Sequence, residues 1–238
     1  MTLDIRYPRS WSEMTPRQLL QVAGVLEHAS GPRDEILLRL LCSLAGLRIP
    51  LRERLRDDVA EVRCGRRTHR LPVAMLLQAA RELSFILDGT DLTACPLEGI
   101  SPKLYDIPFG DYFHMDALMM LYAAGQAQDR SLAAEAARCL THRRRRMDGR
   151  EALALLIWYN GLKHWLAGRY PNVFEKGGGT SSDTMADTLS KMLAALNQER
   201  PQDNEAILAA DTHAVLLALE NTQLKYKTLK RHAEQGIH

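Results

Sequence analysis

The 238-residue chain is poor in the features that announce a chemistry. Its four cysteines, Cys42, Cys64, Cys95 and Cys139, stand far apart and match no CxxC or metal-ligand spacing. Reduced thiols in a cytoplasmic protein are the simplest reading. Charge of one sign is also missing. Thirty-one Lys+Arg against 29 Asp+Glu leave +2, so no global field draws in nucleic acid or an acidic membrane surface. No apolar run approaches the roughly 18 residues of a membrane helix, and Met1 to Pro8 has no apolar signal core. The eight histidines are scattered without HExxH, and neither a GxSxG elbow nor a cysteine beside a histidine motif occurs.

What is present is material for a core. Hydrophobic residues make up 46% and charged residues 25%, which excludes a disordered or fibrous chain. Thr15-Pro16-Arg17-Gln18 reads as a capping box opening a helix with Leu19, Val22, Ala23 and Leu26 at helical spacing. Ser30-Gly31-Pro32 stops it. A second helix follows from about Asp34 to Leu44, and the short linker makes the two an antiparallel hairpin. Val59 to Arg63 and Thr68 to Leu71, around Gly65, read as a small β-hairpin. A third helix runs from about Val73 to Leu87. Residues 89–110 hold Pro96, Gly99, Pro102 and Pro108, too many breakers for a regular element. This extended segment is expected to be held on a surface by Leu97, Leu104 and Tyr105.

The rest reads as helix. Helices are expected over Asp111 to Ala124, Ser131 to Leu140 and Asp148 to Ala167, the last apolar on two faces and therefore central. Another is capped by Ser182 or Asp183. The last opens at Pro201 and runs unbroken to about Arg231. The predicted fold is mainly α, bundle-like, with one small β-hairpin at about residues 59–71. It divides into a subdomain over 1–88, a connector over 89–110 and a subdomain over 111–238.

Each candidate for chemistry has a plain structural alternative. Gly177-Gly178-Gly179 before a helix suits a phosphate, but no strand precedes it and no Lys-Ser/Thr follows, so it reads as a linker. Asp111, His114 and Asp116 lack a second ligand pair, and Asp111 reads as a helix cap. Asp211 and His213 sit two apart on a helix and face different sides. No metal and no cofactor are expected. Arg143, Arg144, Arg145 and Arg146 form the one charge block, a candidate phosphate contact or a solvated connector. The aromatic group Trp158, Tyr159, Trp165 and Tyr170 reads as core, with a partner groove as the alternative. On the last helix Val215, Leu219, Thr222, Tyr226 and Leu229 make a heptad-like seam, which either packs along the body or meets another chain.

Four stretches carry a resemblance. They are Tyr7-Pro8 with Ser10-Trp11 and Met14-Thr15-Pro16, then Phe109-Gly110-Asp111-Tyr112, Ile157-Trp158-Tyr159-Asn160-Gly161-Leu162, and Tyr170-Pro171-Asn172-Val173-Phe174. In their order they resemble helical proteins encoded in prophages and mobile elements of anaerobic gut bacteria. Some of those are similar to phage tail-assembly chaperones. The resemblance brings no catalytic residues. It implies a non-enzymatic chaperone that shields a protein partner, an aggregation-prone phage tail component, during assembly, while the stripe on the last helix offers association with a second copy of the chain. Met115, Met119, Met120, Met185 and Met192 would lend such a chain an adaptable apolar groove. The alternative function is a nucleic-acid-associated accessory protein working through Arg143 to Arg146.

Overall fold

The capping-box sequence at Thr15 does what its chemistry requires. In the computed structural model, which describes residues 6–49, 58–125, 127–174, 185–197 and 200–235, Thr15 Oγ1 accepts from Gln18 N at 3.2 Å. Gln18 Oε1 in return accepts from Thr15 N at 3.0 Å. The chain is mainly α-helical with one small antiparallel sheet. It forms two compact units, Met1–Glu98 with Met147–Gly161, and Gly99–Arg146 with Leu162–His238. The 89–110 segment is thus shared between them. Leu97 and Leu104 are buried along it, while Tyr105 is half exposed.

In the first unit, α1 (Pro16–Glu27) buries Leu19, Val22 and Ala23. It packs on α2 (Arg33–Ala45), which buries Leu37, Leu40, Leu41 and Leu44. Gly46, at φ +66°, ends α2 in the left-handed region that favours glycine, and the chain leaves at once as strand β1 (Leu47–Arg48). β1 pairs antiparallel with β2 (Val59–Cys64), and β2 with β3 (Arg67–Pro72). The expected hairpin is therefore two strands of a three-stranded sheet. A two-residue strand has no alternation to read, and two strands alone would be marginal in water. Leu47, Ala60 and Val62 pack with Leu76 in a small core that includes Leu38 and Cys42.

The helix expected from 73 to 87 is two, α3 (Val73–Arg81) and α4 (Phe85–Asp88). Leu83 N and Ser84 N bond three residues back, to Ala80 O and Arg81 O, and this tighter turn carries buried Leu83. Trp11, in a 3₁₀ turn (Trp11–Glu13), donates from Nε1 to Gly89 O at 2.9 Å and meets the Phe85 ring edge-on. Helix α7 (Gly149–Arg169) opens on a second reciprocal cap. Asp148 Oδ1 accepts from Glu151 N at 2.7 Å, and Glu151 Oε2 accepts from Asp148 N at 3.1 Å. Its residues to Gly161 belong to the first unit, and Ala152, Ala154, Leu155 and Trp158 there are fully buried.

The second unit is helical. It holds α5 (Phe109–Ala124), α6 (Arg130–Thr141), the end of α7 and α8 (Met185–Asn197). A 3₁₀ turn (Pro201–Asp203), α9 (Asn204–Ala209) and α10 (Thr212–Gln235) complete it. Buried Ala133, Ala136 and Ala137 let α6 come close to α5. Two expectations are corrected here. α5 starts at Phe109, so Asp111 is not its cap; it lies in the first turn, where a negative charge suits the helix dipole, 3.4 Å from His142 Nε2. The last helix is not continuous, because the chain breaks at Ala210–Asp211. The caps expected at Ser182 or Asp183, and Gly177 to Gly179, lie outside the described residues.

Two substitutions test the first unit. A Cβ at Gly161 would collide with the Asp91 carbonyl, so α7 lies directly against that backbone. On helix propensity alone Gly161→Ala would gain about 1 kcal/mol. Overpacking against rigid backbone is expected to reverse the sign and cost about 1–3 kcal/mol, read as a lower urea midpoint. Thr93 is buried and its Oγ1 finds no hydrogen-bond partner among the described residues. Thr93→Val keeps the shape and removes the stranded hydroxyl. It is expected to raise stability by about 1 kcal/mol in the same measurement.

Candidate functional site

The break at Ala210–Asp211 is made by pairing rather than by a breaker residue. Phe109 N donates to Ala210 O at 2.8 Å and Thr212 N to Ile107 O at 2.9 Å, a two-residue antiparallel bridge between Pro108 and Asp211. Asp211 Oδ1 then caps α10, accepting from His213 N at 2.9 Å and Ala214 N at 3.1 Å. The starts of α5 and α10 are tied together by this bridge.

His213 follows as a buttress. Lys103 O is 2.7 Å from its Nε2, and the Tyr170 hydroxyl is 2.8 Å from its Nδ1. A neutral ring protonated at Nε2 satisfies both, donating to the carbonyl and accepting from the phenol. Burial pushes the Tyr170 phenol above its usual pKa and keeps it protonated. Trp165 meets the imidazole edge-on and carries Lys103 Nζ over its face at 5.1 Å. Tyr105 lies against the other side, 4.9 Å between centroids. With both ring nitrogens engaged, this group is a strut for the turn after α7.

That turn is clamped a second time. Glu220 Oε2 accepts from Asn172 N at 2.8 Å and from Val173 N at 3.0 Å, while Oε1 accepts from Asn172 Nδ2. Lys227 Nζ donates to Asn172 Oδ1 at 2.8 Å. With His213, three residues of α10 therefore hold the 170–174 turn, and with it the Phe174 ring.

Phe174 is one wall of a cavity of about 260 Å³ within the second unit. Phe109, Tyr112 and Phe113 from α5 and Leu216 from α10 form apolar walls, and Thr188 and Met192 of α8 face them. An ion pair stands among these groups. Lys163 Nζ lies 2.8 Å and 3.1 Å from the two Asp116 oxygens, and 4.9 Å from the Phe174 centroid. Both side chains are mostly buried, at 29% and 15% exposure. The site thus combines largely apolar walls with a donor and an acceptor side by side, the usual make-up of a small-molecule pocket.

The predicted site residues fall in different places. Trp158 and Tyr170 are buried, as the core reading has them, and Trp165 is half-buried. Val215 and Leu219 are buried, whereas Tyr226 and Leu229 are each 67% exposed. Of the methionines, Met115 and Met119 are core, Met120 and Met192 border the cavity, and the side chain of Met185 lies outside the described residues. Arg143 to Arg146 are exposed. Arg144 and Arg145 share a concavity of about 360 Å³ with Arg138 and Glu135, and Arg138 Nε donates to Glu135 Oε1 at 2.9 Å. That hydrogen bond holds the Glu135 carboxyl below the usual carboxylate range, so an anionic group interrupts the basic patch. Burial pushes the Cys95 thiol up to about 12 and Cys42 up to about 11, leaving both as unreactive thiols.

Among the described residues no group of three His, Cys, Asp or Glu is placed to hold a metal ion, and no helix is long and apolar enough to cross a membrane. Asp116 pairs with a lysine 47 residues away, which its own helix could not reveal. Glu220 carried no signal, lying in a polar stretch. Asp211 did carry one, an N-cap residue ahead of an apolar stripe. Comparison with protein-family models, curated proteins and solved structures gave no match.

Removal of the Glu220 clamp has a local readout. Glu220→Ala removes the acceptor of Asn172 N and one of the two acceptors of Val173 N, which also bonds Tyr170 O at 3.1 Å. It is expected to cost about 1–3 kcal/mol and to raise amide exchange in α10 beyond residue 220 before the rest of the unit. Uniform exchange across α5 and α10 would show that the clamp does not hold that turn.

Proposed function

We propose that this is a protein-interaction protein that meets its partner through the distal half of α10. The observation that carries the reading is where the seam runs out. Val215 and Leu219 are buried, Thr222 is half-buried, and Tyr226 and Leu229, the next two members, are exposed. The same apolar stripe continues past the end of its own covering. At 1.5 Å per residue α10 is about 36 Å long, enough to present both an anchored and an unpaired portion. Lys225 and Lys230 flank the uncovered stripe, so the surface is apolar with a basic border. Tyrosine and leucine one turn apart are the kind of pair that fills a groove on another helix.

The resemblance to prophage proteins similar to tail-assembly chaperones supplies the partner class. A tail structural protein that exposes apolar helix before assembly would be shielded by such a stripe. The role would be non-enzymatic.

The test is a double substitution, Tyr226→Glu with Leu229→Glu. Both positions are exposed, so the melting temperature is expected to stay within the change that about 0.5 kcal/mol produces. Co-purification with a co-expressed tail-tube protein, or self-association read by light scattering, is expected to fall at least tenfold. A variant that folds and keeps both interactions would overturn the reading.

A further inference from the structure

The cavity between α5, α8, α10 and Phe174 is distinct from the α10 stripe and has its own chemistry. Its volume of about 260 Å³ exceeds the ~150 Å³ in which an engineered apolar cavity takes up benzene. One six-membered ring with a short substituent therefore fits with room to spare. Its walls are aromatic and aliphatic, which favours a ring over a polar chain.

The ion pair narrows the class further. Lys163 contributes N–H donors and Asp116 carboxylate acceptors, 2.8 Å apart, so the pair presents both functions at one point on a wall that is mostly apolar, with the hydroxyl-bearing Tyr112 and Thr188 also lining it. The pair is neutral as a whole. An anion or cation brought to it would add an uncompensated charge in a mostly buried site. A hydroxyl adds none. Its O–H donates to an Asp116 oxygen while its own oxygen accepts from Lys163 Nζ, and both bonds are charge-assisted. A carboxylate has about four lone-pair sites, so Asp116 can accept this bond while keeping those it already makes. The face of Phe174 is already turned to the ammonium, which holds Lys163 where a hydroxyl would meet it.

We infer that this cavity binds a small uncharged phenol, one aromatic ring bearing one hydroxyl, with the ring against Phe109, Phe113 and Phe174 and the hydroxyl on the Lys163–Asp116 pair. The inference is independent of the protein-interaction reading, since it uses no residue of the exposed stripe.

The test uses the full chain with ¹³C-methyl methionine and three probes of nearly equal size. p-Cresol both donates and accepts, anisole only accepts, and toluene does neither. Shifts are expected at Met120 and Met192, which border the cavity, and not at Met75, which is exposed in the first unit. p-Cresol is expected to bind at least fivefold more tightly than toluene, with anisole between them. In the chain carrying Asp116→Leu with Lys163→Met, the advantage of p-cresol over toluene is expected to vanish while toluene still binds. Replacing both partners together avoids stranding one charge. If that variant does not fold, the order of the three probes on the unaltered chain decides. Equal affinities for p-cresol and toluene would overturn the phenol assignment. Unmoved Met120 and Met192 signals with all three probes would overturn the site.

Discussion

The second unit depends on a bridge of two backbone hydrogen bonds. Phe109 and Ile107 exchange bonds with Ala210 and Thr212 across more than a hundred residues of chain, and Thr212 Oγ1 adds a third bond to the Ile107 carbonyl at 2.7 Å. Asp106 N reaches Asp211 Oδ2 at 3.2 Å beside it. Buried backbone groups at the start of two helices would otherwise lack partners, and here each start supplies what the other needs. α5 and α10 are therefore fixed at their N-terminal ends, and Phe109, Tyr112 and Leu216 meet because of it. The cavity is a consequence of where those two helices begin.

From that bridge outward, α10 works as a rail. His213, one residue past Thr212, braces the Tyr170 hydroxyl and the Lys103 carbonyl. Two turns on, Glu220 gathers the amides of Asn172 and Val173, and Lys227 reaches back to the same asparagine. Charge-assisted bonds to backbone amides are among the stronger ones a side chain makes, and they act over a short stretch. The 170–174 turn is pinned at its beginning and its middle, and Phe174 closes the cavity from a backbone that has little freedom. Polar groups thus build an apolar site by holding its frame.

Local pattern made much of this legible. The Thr15 capping box, the Gly65 turn and the helices α1, α2, α5 and α7 all appear in the fold, because each depends on neighbours within a few residues. What local pattern missed is equally consistent. β1 is two residues long and exists only because β2 lies beside it. The break before α10 needs Ile107 and Phe109. The helix expected from 73 to 87 bends where Leu83 turns inward, which is a matter of tertiary packing overriding propensity. In the candidate site the same rule applies. Lys163, Asp116, Asn172 and Glu220 are ordinary surface residue types in sequence, and only the fold brings them together in pairs.

The stripe on α10 and the energetics of an isolated helix bear on each other. A helix segment with few tertiary contacts is marginal in water, because propagation gains little per residue once packing stops. Thr222 and Thr228 spend their hydroxyls on their own helix, bonding to Ala218 O and Leu224 O, which adds little to helix stability. Beyond the bond from Lys227 to Asn172, Leu229 stands exposed. A natural sequence that needed only a terminal helix could end its apolar stripe at Leu219, where its covering ends. Keeping Tyr226 and Leu229 in register for two further turns exposes apolar surface that favours aggregation unless something covers it. The register is the informative part: residues that merely trail from a body have no reason to stay on one face, and these two lie on the face that the body already uses.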